Sequence, residues 1–269
     1  MADTTPVPPR PRAYGAVNWL GLKTLAWREI RRFLKVHTQT IWAPVVTTLL
    51  FLAVFALALG GAVQEKGGVP FVEFLAPGLI MMAMAQNAFA NTSSSIVIAK
   101  VQGNIVDSLM PPLSPLELVI GFAAGGVVRG LVVGGVVAAC LVPFVELHVT
   151  SFGWIAFHGL MASMLLSLLG IAGGVWSEKF DHIAAVTNFV VTPLAFLSGT
   201  FYTIDRLPET WRLAAQLNPF FYMIDGFRYG FIGHTDTGLA LGACVMLAVN
   251  AGLGLLCWRM FARGYKLRA

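Results

Sequence analysis

Six stretches of this chain are apolar for long enough to cross a bilayer, which takes about 20 mostly nonpolar residues. They run roughly over 40–60, 71–95, 118–144, 152–176, 183–201 and 237–258, the second and fifth being the most polar. Ahead of them, 17–36 alternates with helical period. At 100° per residue Trp19, Leu22, Ala26, Ile30 and Phe33 share one face, and Arg28, Arg31, Arg32 and Lys35 share the opposite one. Such a helix lies in the membrane interface with its apolar side down, Trp19 and Trp27 at the headgroup level and its cations near anionic lipid. The alternative for this pattern is a helix packed on a soluble partner. The pattern therefore predicts an all-α integral membrane protein of six transmembrane helices, with an N-terminal interfacial amphipathic helix.

Two connections are too long and too structured to be plain turns. On the side entered after the second span, 96–117 holds a short polar helix candidate, 100–110, followed by Pro111, Pro112, Leu113, Ser114 and Pro115, which enforce an extended path. Ile105, Val106, Leu109 and Met110 form a stripe on that helix suited to docking in a groove; the rival is a loop that skims the membrane. The other is 201–228, amphipathic and aromatic, cut by Leu207-Pro208 and Asn218-Pro219 into two helices too short to span. Placed before a clear last span, they predict a re-entrant hairpin at the outer face, with Phe201, Tyr202, Asn218, Pro219, Tyr222 and Arg228 as its gate residues. Such backbone survives at membrane depth only where protein or a cavity covers it.

Composition agrees with the hydropathy pattern. Hydrophobic residues make up 57% of the chain and charged ones 12%, about half the charge of a soluble domain. The net charge of +5 does not point to nucleic acid, because its placement is that of cytoplasmic flanks. Seven basic residues fall between Arg10 and Lys35 and four between Arg259 and Arg268. With both termini inside, the inner segments carry thirteen Lys and Arg and the outer loops four, Lys66, Arg206, Arg212 and Arg228, as the positive-inside rule requires. The organisation expected is a disordered cytoplasmic tail over 1–16, the interfacial helix over 17–36, a transmembrane domain over 37–258 and a basic tail over 259–269.

Enzyme chemistry is not visible. No G-x-x-x-x-G-K-[ST], G-x-S-x-G, H-E-x-x-H or CxxC occurs, the five histidines are scattered, and Cys140, Cys244 and Cys257 sit in apolar runs as small hydrophobes. No cofactor or metal is expected in this chain. Within the spans the costly residue is Arg129, about 2.5–3.5 kcal/mol near a bilayer centre. Asn87 and Asn91 reach similar depth on a polar face continued by Ser94 and Ser95. Either Arg129 hydrogen-bonds to that face and clamps the second span to the third, or it contacts a substrate headgroup. Gly121, Gly125, Gly126, Gly130, Gly134 and Gly135 give the third span small-xxx-small spacing, read equally as packing within one subunit or as a dimer seam.

Four blocks in this order resemble the ABC-2 type permease family, most closely its YadH-like branch. They are 74–82 (FLAPGLIMM), 103–112 (GNIVDSLMPP), 125–130 (GGVVRG) and 217–230 (LNPFFYMIDGFRYG). The resemblance implies a homodimer bound to two copies of a separate cytoplasmic ABC ATPase, which carries the ATP and Mg. It implies export of a lipid, glycan or hydrophobic compound across a bacterial inner membrane. Gln102, Gly103, Asn104, Ile105, Asp107 and Leu109 would form the coupling helix that docks on the ATPase. Met110-Pro111-Pro112 departs from the family habit of a small or β-branched residue before one proline. The alternative is an ATP-independent secondary carrier, which calls for an inverted repeat and titratable groups at the midplane; neither is present in the sequence.

Overall fold

A computed structural model describes residues 15–59, 65–66, 69–202 and 208–267. The expected disordered tail, apart from its last two residues, lies outside the described residues, as do Arg206, Leu207 and Arg268. Helix α1 (Trp19–Lys35) is followed by a π-helical turn, Thr38–Trp42, that runs into α2 (Ala43–Leu59). The strand pair β1 (Glu65–Lys66) and β2 (Val69–Pro70) joins α2 to α3 (Phe71–Val101). A single turn, α4 (Val106–Leu109), leads to α5 (Pro115–Leu141) and α6 (Phe152–Trp176). After these come α7 (Phe180–Val186), a π turn over Thr187–Val191 and α8 (Thr192–Phe196), then α9 (Glu209–Leu217), α10 (Pro219–Ile232) and α11 (Leu239–Ala262).

Among the described residues, five helices are long and apolar enough to cross a membrane: Thr38–Leu57, α3, α5, α6 and α11. The stretch expected as a fifth span, 183–201, is a helical run of 17 residues, Phe180–Phe196. At 1.5 Å per residue it is about 25 Å long, short of a hydrocarbon core of about 30 Å.

Helix α3 is the axis of the bundle. It packs against α5, α6, α10 and α2, and 83% of its apolar window is buried against 22% for the first span and 11% for α11. The two outer helices therefore present most of their apolar surface away from the protein, as lipid-facing helices do. The close fit at the centre comes from small residues. A Cβ on Gly126 would collide with Ser167 and Thr92, one on Gly134 with Met84, and one on Gly170 with Thr92 and Phe89. Of the six α5 glycines, five face neighbours in the same chain and Gly135 faces open space, so packing within one subunit accounts for the repeat in all but that position.

At one end of the bundle a second apolar cluster brings together Leu25 of α1, Ile96 of α3, Ile105, Leu118 and Phe122 of α5, and Phe261 and Leu267. Phe122 and Phe261 stack with their centroids 6.1 Å apart. This end gathers α1, the 102–114 connection and the C-terminal segment. Helix α11 continues to Ala262, into the segment expected as a basic tail, before Gly264 and Lys266 take positive φ and fold Leu267 back. At the opposite end the α10 carbonyl of Gly230 accepts from the backbone amides of Thr150 and Ser151, just before α6.

Candidate functional site

The residues of the 102–114 connection and α1 form one unit. Ser114 caps α5: its hydroxyl accepts from the Glu117 amide while the Glu117 carboxylate accepts from the Ser114 amide at 2.6 Å. The other oxygen of Glu117 accepts from the Asn18 amide at the start of α1, and the Asn18 side chain donates to the carbonyl of Pro112 at 3.1 Å. One carboxylate thus fixes the start of α1, the proline segment and the start of α5 together. A Ser-x-x-Glu spacing ahead of an apolar run was the signal for this cap, although nothing in the sequence showed that Asn18 would join it.

Helix α1 divides into three faces rather than the two expected. Leu25, Glu29 and Phe33 are buried against α5, where Gly121 and Gly125 leave no room for a Cβ beneath Leu25 and Glu29. Trp19, Leu20, Trp27 and Leu34 are exposed and, at 3.6 residues per turn, fall within one 100° sector. That sector is the exposed apolar side of α1, with Lys23 within it. Phe33, assigned to lipid from the sequence, belongs instead to the protein-facing stripe. The cations split as well. Arg28 donates to Ser108 on α4 at 3.0 Å and to Glu29 at 3.1 Å. Arg32 bonds Glu29, the Asn91 side chain at 3.0 Å and Ser94 at 3.3 Å. Arg31 lies over Trp27. Because Glu29 is only 1% exposed, it needs those two guanidinium partners, and they are drawn inward to meet it.

The polar face of α3 is thereby shared between two arginines. Arg129 donates to Asn87 Oδ1 at 2.8 Å, which joins α5 to α3. Asn91 and Ser94 go to Arg32 instead.

Between α1, the end of α3 and α4 lies a cleft of about 580 Å³, lined by Arg28, Arg31, Arg32 and Lys35 and by Gln102, Asn104 and Asp107. The expected helix over 100–110 is reduced to α4. Lys100 and Val101 belong to α3, which ends where Gly103 takes φ +74°, a conformation open to glycine without strain. The predicted docking stripe is divided by burial. Ile105 is 5% exposed inside the cluster, and Leu109 packs partly against it. Gln102, Gly103, Asn104, Val106, Asp107 and Met110 are exposed. Of the predicted stripe, Ile105 therefore faces the protein, where the one turn of helix covers the gap between α1 and α5, while Val106 and Met110 stay on the surface.

At the far end the gate residues are packed together. Asn218 caps α10 by accepting from the Phe220 amide and donates to the Leu194 carbonyl of α8 at 2.8 Å. Pro219 occupies the first turn, where its missing N–H costs nothing. Phe201 stacks on Phe55 at 4.6 Å and on Phe196 at 5.5 Å, and Tyr202 donates to the Leu197 carbonyl at 2.8 Å. Tyr222 is buried. Arg228, assigned to an outer loop from the sequence, is buried in α10. It donates to the Gly199 carbonyl at 2.7 Å and lies 3.9 Å from the Phe74 ring centroid. Asp225, one turn earlier, accepts from Thr235, the Asp236 amide and Thr237, closing the turn into α11.

The end that carries α1 and α4 is thus charged and exposed, and the opposite end is closed by aromatic packing. A model of the ABC-2 type transporter family matches residues 21–232. The chain belongs to the ABC-2 type transporter family. Among relatives of this ABC-2 chain is the Escherichia coli (strain K12) protein named inner membrane transport permease YadH. It is 39% identical over 251 residues, which cover 93% of this chain and 98% of that protein. Nodulation protein J of Rhizobium leguminosarum bv. trifolii is 26% identical over 246 residues, 87% of this chain and 90% of that protein. An ABC-2 chain with several membrane-length apolar helices and this likeness is a multi-pass inner-membrane transport permease.

Proposed function

We propose that the chain is the membrane-spanning, non-catalytic subunit of an ATP-driven exporter, working as a homodimer with two copies of a separate cytoplasmic ABC ATPase. ATP and Mg belong to that partner. The cargo proposed is a lipid, glycan or hydrophobic compound. In this reading the basic end of the bundle is cytoplasmic, both termini lie inside, and the run Phe180–Phe196 completes a sixth crossing with the help of the residues after it. Helices α9 and α10 then form the re-entrant outer hairpin, broken at Asn218.

The observation that carries the proposal is the exposed loop around α4. It is bound to α1 through Arg28 and Ser108, and to α5 through Ser114 and Glu117. Closure of the ATPase pair would push on Gln102, Asn104, Val106, Asp107 and Met110. The push reaches α1, α3 and α5 together because these elements share hydrogen bonds and a core. Rotation of those spans opens a path on the outer side, where Phe55, Phe196 and Phe201 close the aromatic gate.

The test is co-purification of the tagged chain with a co-expressed ABC ATPase of the same genome, with hydrolysis measured for wild type and Asp107→Arg/Met110→Asp. A stable complex lost in the double variant is expected. Absence of any complex in the wild type removes the proposal and leaves an ATP-independent carrier.

A further inference from the structure

A groove of about 690 Å³ runs along the basic end of the bundle between α6, α7 and α11. Its walls are almost entirely carbon: Gly173 and Trp176 of α6, Val186 of α7, Leu256 and Met260 of α11. Arg259 and Arg263 also line it. Four residues apart, they project from the same side of the last turn, and both are exposed. Tyr265 stands beside them, and the Lys266 ammonium lies 5.7 Å from the Trp176 ring. The nearby carboxylate, Glu178, is held by Lys266 at 2.7 Å.

We infer that this groove holds one anionic phospholipid of the inner leaflet, an acyl chain along the α6–α11 wall and its phosphate between Arg259 and Arg263. Three features favour that ligand. The groove lies between helices whose outer surfaces are apolar, where acyl chains are the solvent. Its mouth carries cations with Trp and Tyr at the level where headgroups sit, and cationic side chains next to a span attract anionic lipid. Its volume falls within the about 300–1,000 Å³ of small-ligand sites. Gly173 keeps the wall open: a Cβ there would meet Ile183 at 3.6 Å, an ordinary contact, so a larger side chain fills the groove without forcing the helices apart. Bound lipid would splint α6 to α11. The leaflet assignment rests on the cytoplasmic placement proposed above; the groove does not.

Native mass spectrometry of the purified chain in neutral detergent, titrated with dioleoyl phosphatidylglycerol and separately with dioleoyl phosphatidylcholine, tests it. One retained phosphatidylglycerol per chain is expected, with retention at least tenfold weaker in Arg259→Gln/Arg263→Gln and in Gly173→Leu. Lys23→Gln/Lys35→Gln, which removes the same charge from the same end, should retain it as wild type does. Equal retention of the two lipids overturns the inference, and so does full retention in Arg259→Gln/Arg263→Gln. A change from dimer to monomer in that variant with unaltered lipid count assigns the groove to a second copy and also overturns it. Labelling of Lys179→Cys by a membrane-impermeant maleimide from outside the cell would overturn the leaflet, and with it the proposed orientation, while leaving the detergent result intact.

Discussion

At the scale of single residues, the decisive objects are guanidinium groups placed where lipid would otherwise be. Arg129 and Asn87 form one such pair. Removing the amide leaves a charged group facing a nonpolar wall, whereas removing the arginine leaves only a neutral oxygen unpaired. Asn87→Leu should therefore lower stability more, by about 1.5–3 kcal/mol, than Arg129→Met, by about 1–2 kcal/mol. The double variant should recover part of the loss, because neither partner is then stranded. Thermal unfolding in detergent across the four proteins checks this; losses that simply add would show that the two side chains are not coupled. If instead Arg129→Met unfolds like wild type yet abolishes export, its role is at the cargo and not in the clamp.

The C-terminal tie titrates. Lys266 hydrogen-bonds the Glu178 carboxyl and holds its pKa below the usual carboxylate value of 4.5, and the same bond lifts the lysine above 10.5. A carboxylate whose pKa is lowered on folding contributes stability above its unfolded value and loses it as pH falls through the folded one. The ammonium, raised on folding, keeps its contribution until pH climbs past 10.5. The tie should be intact at pH 7 and open as pH drops below about 4.5. The protection factors at 263–267, exchange rates taken relative to the intrinsic rate at each pH, should then fall, and in Glu178→Gln they should be low at pH 7 and at acid pH alike.

At the scale of elements, α1 is held by shape as much as by charge. Its contact with α5 depends on two glycines: a Cβ at Gly121 would stand 2.5 Å from Leu25, and one at Gly125 would collide with the Glu29 side chain. Gly125→Val should lift α1 from the bundle and break its link through Arg32 to Asn91. Faster trypsin cleavage at Arg28, Arg31 and Arg32 is expected, with the membrane helices still protected. Unchanged cleavage would mean that the hydrogen bonds of Glu117 and Arg28 suffice. Much of this was legible in the sequence at the level of elements. The fourth span falls where its apolar run ends, and the helix expected over 17–36 starts two residues later. The assignment of faces was not legible. An amphipathic pattern gives one apolar and one polar side, but Glu29 at the edge of the apolar arc and glycines on a different helix turned α1 by part of a turn. Distant partners of that kind leave no local periodicity. The short helix over 100–110 failed for a local reason, since Gly103 ends α3 in the left-handed region, and that glycine was in plain view.

At the scale of the whole molecule, the two ends differ in how they are tied. The end opposite α1 is packed by aromatic rings, Phe201 on Phe55 among them, and by hydrogen bonds of Asn218, Asp225 and Arg228. The basic end is tied across the sequence, by residues 18, 28, 108, 114 and 117. In the proposed reading, work delivered at the α4 loop must move several spans without first deforming the loop, and the ties at the basic end serve that. The consequence separates binding from coupling. In that reading Asp107 and Met110, which are exposed, set affinity for the ATPase, whereas Ser108 is buried and its hydroxyl accepts from Arg28. Ser108→Ala removes one part-exposed hydrogen bond to a charged group, about 1 kcal/mol after solvent screening, or roughly a fivefold change in an equilibrium constant. Co-purification with the ATPase should be unaltered, and transport per ATP hydrolysed should fall about fivefold. If Ser108→Ala weakens the complex itself, α4 is a contact surface and not a lever. If neither quantity moves, the force passes through Glu117, and Glu117→Gln becomes the variant that uncouples.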